Sequence, residues 1–499
     1  MTILQLHTPE QAACWLHERA TGTLWADSRK AGKGDGFIAW PGAATDGRQY
    51  VKAALAAGVT ACLVERAGAE TYGFNDDRVA TYQGLKAATG LIAAAYFGAP
   101  SEQLQLVAIT GTNGKTSTAW WLAQALGRLG HPCGMVGTLG IGTPGAMVSN
   151  GLTTPDPVLL QQQFRRFSDN GFLACALEAS SIGIAERRLD GTHVQIAVFT
   201  NFTQDHLDYH ASMDAYWQVK KTLFSWPGLR AAVFNIDDPK GLELNAALAQ
   251  TSLDCWTVSC TGPARLEARV IRQGAHGLIF NVVEGAECHT VSTAMVGLYN
   301  ISNLLGVLAS LRAMEVPLAD AVAACLDLLP VPGRTETLSV AGQPLVVIDY
   351  AHTPDALEKV LSALKPVAHG RGGRLWCVFG CGGDRDASKR PLMAAVAEKN
   401  ADQLVLTSDN PRSEDPLAII AQMLKGLGQP QAVYAEADRS AAIAHALALA
   451  APHDIVLLAG KGHENYQEIK GVKMAFLDRD HAQAALNAGA AMRQAKESA

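Results

Sequence analysis

A glycine-rich segment at residues 111–117 carries the clearest chemistry in this sequence. It follows an apolar run and contains Gly111, Thr112, Asn113, Gly114, Lys115, Thr116 and Ser117. Such a turn between a strand and a helix points backbone N–H groups at phosphate oxygens. The Lys115 ammonium would reach the β- and γ-phosphates of ATP, and the Thr116 hydroxyl would bind Mg²⁺. The segment departs from the common phosphate loop, because Ile109 stands where that loop has its first glycine. The alternative interpretation is a plain glycine turn before a helix.

Glu178 and His206 follow two further apolar runs, at residues 173–177 and 196–200. A carboxylate and an imidazole near a phosphate loop are plausible metal ligands. The alternative is that both are hydrogen-bonded polar residues at strand ends. Since both would lie in the same sheet as the phosphate loop, the pattern favours metal binding. Lys220, on a predicted helix, indicates nothing by itself because exposed helical lysines are common.

A second set of polar residues follows the predicted strands near the end of the chain. Asp349 could hold a ribose hydroxyl, and Arg385 lies in a glycine-rich loop where a surface salt bridge is the alternative. The segments 409–412 and 460–464 complete the set. Pro411 restricts the first of these turns and therefore fixes the direction of Arg412.

Three blocks of elements must position these residues, and we predict domains at residues 1–100, 101–332 and 333–499. In the first block, strands are predicted at 37–40 and 61–64, and a helix at 85–97 ends at a Gly/Pro stop signal. In the second, the expected strands are at 104–110, 173–177, 196–200 and 231–234, with an antiparallel piece at 270–283 and a helix at 300–313. The third follows a Pro-rich linker at 330–334, with strands at 345–349, 375–379, 403–407 and 455–458.

The alternation of short apolar runs with helical segments predicts an α/β fold. We expect a small α/β N-terminal domain, a central P-loop-type and mostly parallel sheet with helices on both faces, and a C-terminal Rossmann-like doubly wound domain. Open parallel sheets bind ligands at the carboxyl ends of their strands. The polar residues that follow the strands of the second and third blocks therefore predict an active site in the cleft between these blocks.

The bulk composition argues against several classes of protein. The net charge is −6 without long runs of like charge, so a nucleic-acid or anionic-membrane surface is not expected. The first residues lack an apolar signal-peptide region, and no apolar run approaches the ~20 residues of a membrane span. Ten cysteines without a C-x-x-C pair are typical of reduced thiols in a cytoplasmic protein; a zinc site or disulfide frame is the alternative.

Taken together, the motifs resemble those of the Mur ligases over essentially the whole chain, in order. The matching segments are 27–29, 111–117, 153–155, 178–181, 205–208, 299–303, 349–355, 380–385, 409–412 and 460–464. The shortened phosphate loop is the form that this family uses. The resemblance implies an ATP-dependent ligase of peptidoglycan precursor synthesis that forms an amide bond through an acyl phosphate. The implied substrates are ATP, a UDP-linked muramoyl dipeptide and a free amino acid, with two Mg²⁺ ions and no nucleic-acid or membrane partner. A monomer is expected.

The resemblance also implies roles for individual residues. Lys115, His206 and Lys220 would be catalytic, and Thr116, Glu178, His206 and Lys220 would hold metal. Lys220 matches a family lysine that CO₂ converts to a carbamate. The implied ATP contacts are residues 111–117 with Asn300, Asn303, Arg334 and Asp349. The implied contacts of the UDP-linked substrate are Ser28, Ala43, Ala44, Thr45, Thr153, Thr154, Ser180 and Arg188. Glu186 stands where related sequences often carry Gln, so no substrate contact is predicted for it.

The segment Asp409, Asn410, Pro411 and Arg412 resembles the branch of the family that adds meso-2,6-diaminopimelate to UDP-N-acetylmuramoyl-L-alanyl-D-glutamate. The Arg412 fork would take the second carboxylate of that amino acid, which lysine lacks. Arg385, Gly460 and Glu464 would complete the pocket, with Glu464 on the ammonium. The alternative for Arg412 is an ion pair with Glu414 or Asp415.

Two rival functions remain open at this point. One is another member of the superfamily, such as folylpolyglutamate synthase or the ligase that adds D-alanyl-D-alanine. Both would share the phosphate loop but should lack residues 409–412 as they stand here. The other is a regulatory protein that binds ATP and hydrolyses it slowly or not at all. The presence of Lys115, Thr116, Glu178 and His206 argues against a regulator.

Overall fold

A computed structural model describes residues 3–42, 45–274, 277–293 and 295–497. The first sheet contains five parallel strands in the order β1-β5-β4-β3-β2. Its strands are β1 (Leu4–Leu6), β2 (Leu24–Trp25), β3 (Gly36–Ala39), β4 (Ala61–Glu65) and β5 (Val79–Tyr82). The helices around it are α1 (Pro9–His17), α2 (Val51–Ala56) and α3 (Leu85–Tyr96).

The central sheet contains eleven strands among the described residues, in the order β16-β15-β14-β13-β12-β11-β6-β10-β7-β8-β9. They are β6 (Gln105–Thr110), β7 (Cys133–Gly137), β8 (Gly140–Thr143), β9 (Ala146–Val148), β10 (Ala174–Glu178), β11 (Ile196–Phe199), β12 (Ala231–Asn235), β13 (Asp254–Ser259), β14 (Leu266–Gly274), β15 (Gly277–Glu284) and β16 (Glu287–Thr293). The helices are α4 (Lys115–Arg128), α5 (Pro157–Asp169), α6 (Ser181–Ala185), α7 (Met213–Lys221), α8 (Pro239–Leu248), α9 (Tyr299–Ala313) and α10 (Leu318–Cys325). Strands from β7 to β14 across the middle of the order run parallel, and both ends carry antiparallel strands.

The third sheet has the order β17-β18-β22-β19-β20-β21, with β17 antiparallel to the rest. Its strands are β17 (Glu336–Leu338), β18 (Leu345–Asp349), β19 (Leu375–Phe379), β20 (Gln403–Thr407), β21 (Tyr434–Glu436) and β22 (Ile455–Ala459), and a separate hairpin contains β23 (Tyr466–Ile469) and β24 (Val472–Ala475). The helices are α11 (Pro354–Gly370), α12 (Lys389–Asn400), α13 (Pro416–Leu424), α14 (Arg439–Leu449) and α15 (Asp478–Glu497). Short 3₁₀ turns lie at Gly47–Tyr50, Ala69–Tyr72, Pro100–Gln103, Thr222–Ser225 and Pro430–Ala432.

The fold confirms the predicted α/β class, with helices on both faces of the central sheet. Two apolar cores cover its two faces, one around Trp120, Leu304 and Phe280 and the other around Phe164, Phe199 and Trp217. Continuous apolar strands such as β6 are buried on both sides, as parallel sheets require. The three sheets follow the three predicted blocks, although the exact domain boundaries stay a prediction. Within the described part of the chain, no helix has the length and apolarity to cross a membrane.

The strand order determines where the functional residues meet. Strand β6 lies between β10 and β11 in the sheet. The strands that follow β6 in the chain are therefore placed on both sides of it, which makes the end of β6 a topological switch point. Ligands bind at such switch points, beyond the carboxyl ends of the strands. The phosphate loop after β6 is therefore flanked by Glu178 at the end of β10 and by the residues that follow β11.

Candidate active site

The phosphate loop has the backbone that its glycines permit. Gly111 has φ +145° and Gly114 has φ +86°, conformations that residues with a side chain rarely adopt. A Cβ on Gly111 would overlap Thr200 Oγ1, and one on Gly114 would overlap Asn303 Oδ1. The loop therefore packs closely against both the residue that follows β11 and helix α9. Helix α4 begins at Lys115, so its N-terminal N–H groups face the loop.

Lys115 lies over the loop that it terminates. Its Nζ donates to the carbonyl oxygens of Gly111 at 2.9 Å and Thr112 at 2.8 Å. Burial lowers the pKa of Lys115, while the charges of Glu178 and Asp205 oppose that shift. Asn113 anchors the loop to the third domain, because its Nδ2 donates to Asp355 Oδ2 at 3.0 Å. The arrangement can hold a phosphate chain between the central and third domains.

Of the predicted metal ligands, Glu178 and Thr116 are in direct contact. Thr116 Oγ1 donates to Glu178 Oε2 at 3.0 Å, and the carboxylate is fully buried. Thr138 donates to the same carboxylate from its backbone N at 2.9 Å and from its hydroxyl at 3.1 Å. No group of three His, Cys, Asp or Glu side chains able to hold a metal occurs in the described ranges. One carboxylate and one hydroxyl beside a phosphate loop nevertheless fit Mg²⁺, which keeps waters and takes phosphate oxygens as ligands.

His206 follows β11 with φ +55°, and its side chain is partly exposed. Burial lowers the pKa of His206 to about 4, although the charge of Asp205 opposes the shift, so the imidazole is neutral. Asp205 Oδ2 lies 3.5 Å from His206 Nε2 and 3.6 Å from His352 Nε2, and Lys389 Nζ lies 3.6 Å from Asp205 Oδ1. Burial alone would raise the pKa of Asp205, but His352, His206 and Lys389 hold it well below the ordinary value. Since His352 and Lys389 belong to the third domain, this cluster joins the two halves of the cleft.

Lys220 is a buried lysine next to the phosphate loop, with a relative exposure of 1%. Its Nζ donates to the Gly111 carbonyl oxygen at 2.7 Å and lies 4.5 Å from the centre of the Tyr216 ring. Burial and the nearby Lys115 cation hold the pKa of Lys220 well below its ordinary value. Its neighbour Lys221 is partly exposed and pairs with Glu243 at 3.0 Å. The two lysines therefore have different environments, and only Lys220 faces the site.

A cleft of about 1130 Å³ opens beside the loop between α9 and α11. Predicted ATP contacts line its wall. They are Asn113, Gly114 and Ser117 of the phosphate loop, together with Asn300, Asn303, Arg334 and Asp349. Arg334 Nη2 lies 3.5 Å from Thr116 Oγ1, and its guanidinium lies 4.5 Å from the centre of the Tyr350 ring. Its Nε is buried and has no hydrogen-bond partner among the described residues. Burial raises the pKa of Asp349, whose Oδ2 accepts from Thr335 N at 2.8 Å.

The residues predicted for the UDP-linked substrate divide into two groups. Thr154 Oγ1 donates to the Glu178 carbonyl oxygen at 2.7 Å and lies 3.0 Å from Ser180 Oγ, while Arg188 donates to the Thr154 carbonyl oxygen at 2.9 Å. Thr153 Oγ1 lies 3.0 Å from Thr138 Oγ1. These four residues therefore adjoin the metal-binding pair. Ser28 and Thr45 belong to the first domain, where Ser28 is half-buried and Thr45 exposed, and Ala43 and Ala44 lie outside the described residues.

The predicted amine pocket gathers around β20 and β22. Asn410 Nδ2 donates to Glu464 Oε2 at 2.7 Å, and the fully buried Lys461 Nζ lies 3.1 Å from the same oxygen. Lys461 also donates to Asn410 Oδ1 at 3.2 Å and to the Tyr466 carbonyl oxygen at 2.6 Å. Both of these contacts are made by the same oxygen of Glu464, Oε2. Gly460 has φ +110°, and a Cβ there would meet Asp409 Oδ2.

Arg412 follows Pro411 on the loop after β20, and its side chain is 21% exposed. Its Nη1 donates to the Gly383 carbonyl oxygen at 2.7 Å. The alternative for Arg412, an ion pair with Glu414 or Asp415, is wrong, because its ion-pair partner is Glu468. Glu414 instead pairs with Arg390 at 2.7 Å, and Asp415 accepts from Leu417 N at the start of α13.

Arg385 is half-exposed and lies 3.5 Å from Asp208 of the central domain. This is the salt-bridge alternative considered for it, although the pair crosses the cleft between domains. The ten cysteines are unpaired, and Cys14 and Cys288 are exposed while most others are buried.

Several residues of the site were not predicted. Thr138 and Lys389 belong to none of the sequence motifs, and Lys461 lies within the motif 460–464 but had no role assigned to it. Lys461 had a signal, because a lysine between two glycines after an apolar strand belongs to the same polar edge as Glu464. Thr138 and Lys389 had none, since their roles depend on which strands and domains meet.

Comparison with known proteins gives a consistent set of similarities. The chain matches the models of the Mur ligase middle domain over residues 109–311, the Mur ligase glutamate ligase domain over 333–462 and the Mur ligase family catalytic domain over 23–96. It is 59% identical over 488 residues to a UDP-N-acetylmuramoyl-L-alanyl-D-glutamate–2,6-diaminopimelate ligase of Acidovorax sp. (strain JS42), covering 96% of this chain and 97% of the relative. A protein of the same name from Janthinobacterium sp. (strain Marseille) is 46% identical, with 98% of each chain covered. A solved structure of a ligase of that name is 33% identical with a TM-score of 0.62, covering 93% of this chain and 94% of its own.

Proposed function

The chain belongs to the Mur ligase family, and we propose that it joins meso-2,6-diaminopimelate to UDP-N-acetylmuramoyl-L-alanyl-D-glutamate at the expense of ATP. Members of this family are ATP-dependent peptide ligases. The observation that carries the choice of amino acid is that Arg412 lies on the same short loop as Asn410, which donates to Glu464 Oε2 at 2.7 Å. The relatives at 59% and 46% identity bear the name of this reaction.

The proposed reaction has two steps. A carboxylate oxygen of the UDP-linked dipeptide attacks the γ-phosphorus of ATP, and the bond to the β,γ-bridging oxygen breaks to give an acyl phosphate and ADP. The amino group then attacks the acyl carbon, and the tetrahedral intermediate loses phosphate and a proton to leave the amide. Lys115 and Arg334 face the position of the phosphates and would neutralise charge as it develops. The Asp205 cluster, which joins the two domains, would help to exclude water from the acyl phosphate.

Magnesium is the metal that the donors fit. Thr116 and Glu178 would hold one ion, and His206 with a modified Lys220 would hold a second. When bound, Mg²⁺ would supply positive charge against the phosphate oxygens.

We propose that Lys220 carries a carbamate derived from CO₂. Burial favours the neutral amine, which is the form that attacks CO₂, and the pKa of Lys220 is lowered accordingly. The new N–C bond and loss of a proton would turn a potential cation into an oxygen ligand. The contact with the Gly111 carbonyl oxygen keeps this position beside the phosphate loop.

The substrates would meet from three directions. ATP would occupy the cleft beside α9, with residues 111–117 on its phosphates and Asn300, Asn303 and Asp349 on the nucleoside. Thr153, Thr154, Ser180 and Arg188 would hold the dipeptide end of the UDP-linked substrate, and Ser28 with residues 43–45 the uridine end. Asp409, Asn410, Arg412, Arg385, Gly460 and Glu464 would hold diaminopimelate. We further propose that the enzyme acts as a monomer in the cytoplasm, where unpaired cysteines are stable.

Arg412 accounts for the proposed preference over L-lysine. Diaminopimelate has a carboxylate and an ammonium at the far end of its side chain, whereas lysine has the ammonium alone. The guanidinium offers a planar fork to the extra carboxylate. Lysine would leave Arg412 with its 3.9 Å contact to Glu468, and the missing hydrogen bonds should disfavour lysine by about 10²-fold in kcat/KM.

The test is a ligation assay with the UDP-linked dipeptide, ATP and either amino acid. Phosphate should be released only when all three substrates are present, whereas a regulatory ATPase would not need them. Arg412→Ala should lower kcat/KM for diaminopimelate and reduce the preference over lysine. Arg374→Ala is a matched control, because Arg374 is half-exposed and lies 3.8 Å from Asp454 in the same domain. A wild-type preference for lysine, or unchanged selectivity in Arg412→Ala, would refute the proposal.

A further inference from the structure

The hairpin strand β23 fixes the loop that contains Arg412. Arg412 N donates to the Glu468 carbonyl oxygen at 2.9 Å, and Lys470 N donates back to the Arg412 carbonyl oxygen at 2.6 Å. Glu468 N donates to Asn410 Oδ1 at 3.0 Å, and Gln467 Nε2 donates to the Asp409 carbonyl oxygen at 2.8 Å. The backbone of Glu468 is therefore held in register with the amine pocket.

The side chain of Glu468 faces Arg412 without closing a hydrogen bond. Glu468 Oε2 lies 3.9 Å from Arg412 Nε, and the two side chains are 24% and 21% exposed. A separation of 3.9 Å is beyond hydrogen-bond range but leaves a Coulombic attraction. Arg412 Nη1 is already used by the Gly383 carbonyl oxygen. Glu468 therefore lies nearest to Nε, one of the two nitrogens of the Nε–Nη2 edge that suits a bidentate carboxylate.

The other acids near this loop have stronger partners. Glu414 accepts from both terminal nitrogens of Arg390, at 2.7 and 2.8 Å. Asp384 accepts from the Ser413 hydroxyl at 2.6 Å and from its backbone N at 3.1 Å. Among the residues that the structure describes, Glu468 is the carboxylate that forms an ion pair with Arg412.

We propose that Glu468 limits the amino-acid specificity set by Arg412, because it acts as an internal substitute for the substrate's second carboxylate. The inference rests on the proposed function. When diaminopimelate binds, its carboxylate takes the Nε–Nη2 edge of Arg412 and must approach the negative charge of Glu468. When lysine binds, Glu468 remains the partner of Arg412, so the cation is not left alone. Glu468 therefore moderates the discrimination that Arg412 provides.

The consequence is that removal of the charge should improve the enzyme for diaminopimelate. Glu468→Gln keeps the shape of the side chain and the backbone pairing of β23. It removes one repulsive charge from a partly exposed site, which corresponds to about a two- to fivefold decrease in KM for diaminopimelate. KM for L-lysine should rise by a similar factor, because Arg412 loses its partner and the lysine ammonium loses an attractive charge. KM for ATP should not change.

The experiment measures initial rates with both amino acids for the wild type, Glu468→Gln and Glu468→Asp. The Asp variant keeps the charge and should stay near the wild-type ratio. Glu436→Gln is a matched control for loss of one carboxylate from the same domain, on β21 away from the pocket. A structural role for Glu468 would raise KM for both amino acids, whereas the proposal requires opposite changes.

The outcomes distinguish an error about Glu468 from an error about the proposed function. A larger ratio of kcat/KM for diaminopimelate over lysine in Glu468→Gln supports the role of Glu468. An unchanged or smaller ratio overturns it, provided that the wild type uses diaminopimelate. A wild type that prefers lysine contradicts the proposed function instead. Should Glu468→Gln prove unstable by its melting temperature, Glu468→Ser is judged by the same criterion.

Discussion

Lys220 donates a hydrogen bond of 2.7 Å to the backbone carbonyl oxygen of Gly111, and so joins α7 to the turn that would hold the phosphates of ATP. Lys115 donates to the same oxygen at 2.9 Å. Two cations so close together in a buried site repel each other, which is one reason why the pKa of Lys220 falls, after burial itself. Burial also lowers the pKa of Lys115, but there the charges of Glu178 and Asp205 oppose the shift, whereas at Lys220 the Lys115 cation adds to it.

Lys220→Ala should abolish most of the ligase activity, because it removes the amine that the carbamate needs. If the carbamate is the missing ligand, added acetate or formate should restore part of the activity by supplying a carboxylate to the cavity. The measurement is phosphate release with all three substrates, with and without the added acid.

Lys221→Ala is the control for this variant, because Lys221 is adjacent in sequence but pairs with Glu243 at the surface. It should retain near-normal turnover. An active Lys220→Ala together with an inactive Lys221→Ala would mean that the wrong lysine has been assigned.

Lys115→Ala should lower kcat by about 10²-fold or more, since it removes a cation that faces the transferred phosphoryl group. KM for the amino acid should change little, because residues 409–412 and 464 lie on the third domain. Lys115→Arg keeps the charge but not the compact ammonium, and we expect it to recover only part of the loss. A near-normal rate of Lys115→Ala in single-turnover assays would contradict the assignment of residues 111–117 as a phosphate loop.

The parts of this structure that could be predicted are those that local pattern determines. The apolar runs identified β6, β10, β11 and β18 to within one or two residues, because strands buried on both faces leave a continuous apolar signature. The general rule for parallel sheets then located Glu178 and residues 409–412 at strand ends.

Contacts between distant segments could not be predicted in this way. The sequence offered Glu414 and Asp415 only as alternative partners of Arg412, but a hairpin later in the chain supplies Glu468. The contacts of Asp205 with His352 and Lys389 depend on how two domains dock, for which sequence spacing has no signal. Family resemblance supplied the role of Lys220, whereas its burial and its lowered pKa came from the fold.

Glu178→Gln should raise the Mg²⁺ concentration needed for half-maximal activity by about tenfold or more, because the amide keeps the shape but lacks the charge that attracts the ion. The measurement is ligation rate against Mg²⁺ concentration at saturating ATP. Glu186→Gln is a suitable comparison, since that carboxylate pairs with Lys86 and Tyr209 near the surface of the same domain. Equal Mg²⁺ requirements in Glu178→Gln and the wild type would remove Glu178 from the metal site.

Arg439 and Asp478 offer a test of stability beneath the amine pocket. Both side chains are fully buried, with Arg439 Nη2 2.6 Å from Asp478 Oδ2 and Nε 2.7 Å from Oδ1. Arg439 also donates to the carbonyl oxygens of Ser408 and Ala459, the residues just before Asp409 and Gly460. Arg439→Met should lower the free energy of unfolding of the third domain by about 3–5 kcal/mol, because it leaves Asp478 charged and unpaired in the core.

Two further variants separate the buried charge from simple loss of an arginine. Arg479→Ala removes an arginine that is 58% exposed and pairs with Glu336 at the surface, so it should cost less than about 1 kcal/mol. Arg439→Met combined with Asp478→Leu removes both buried charges and should recover much of the lost stability, because an apolar pair needs no counterion. Calorimetric unfolding of the variants measures these differences. If the double variant is as unstable as Arg439→Met, the lost stability comes from the carbonyl oxygens of Ser408 and Ala459, which no longer have Arg439 as a donor. In that case KM for diaminopimelate should rise equally in both variants.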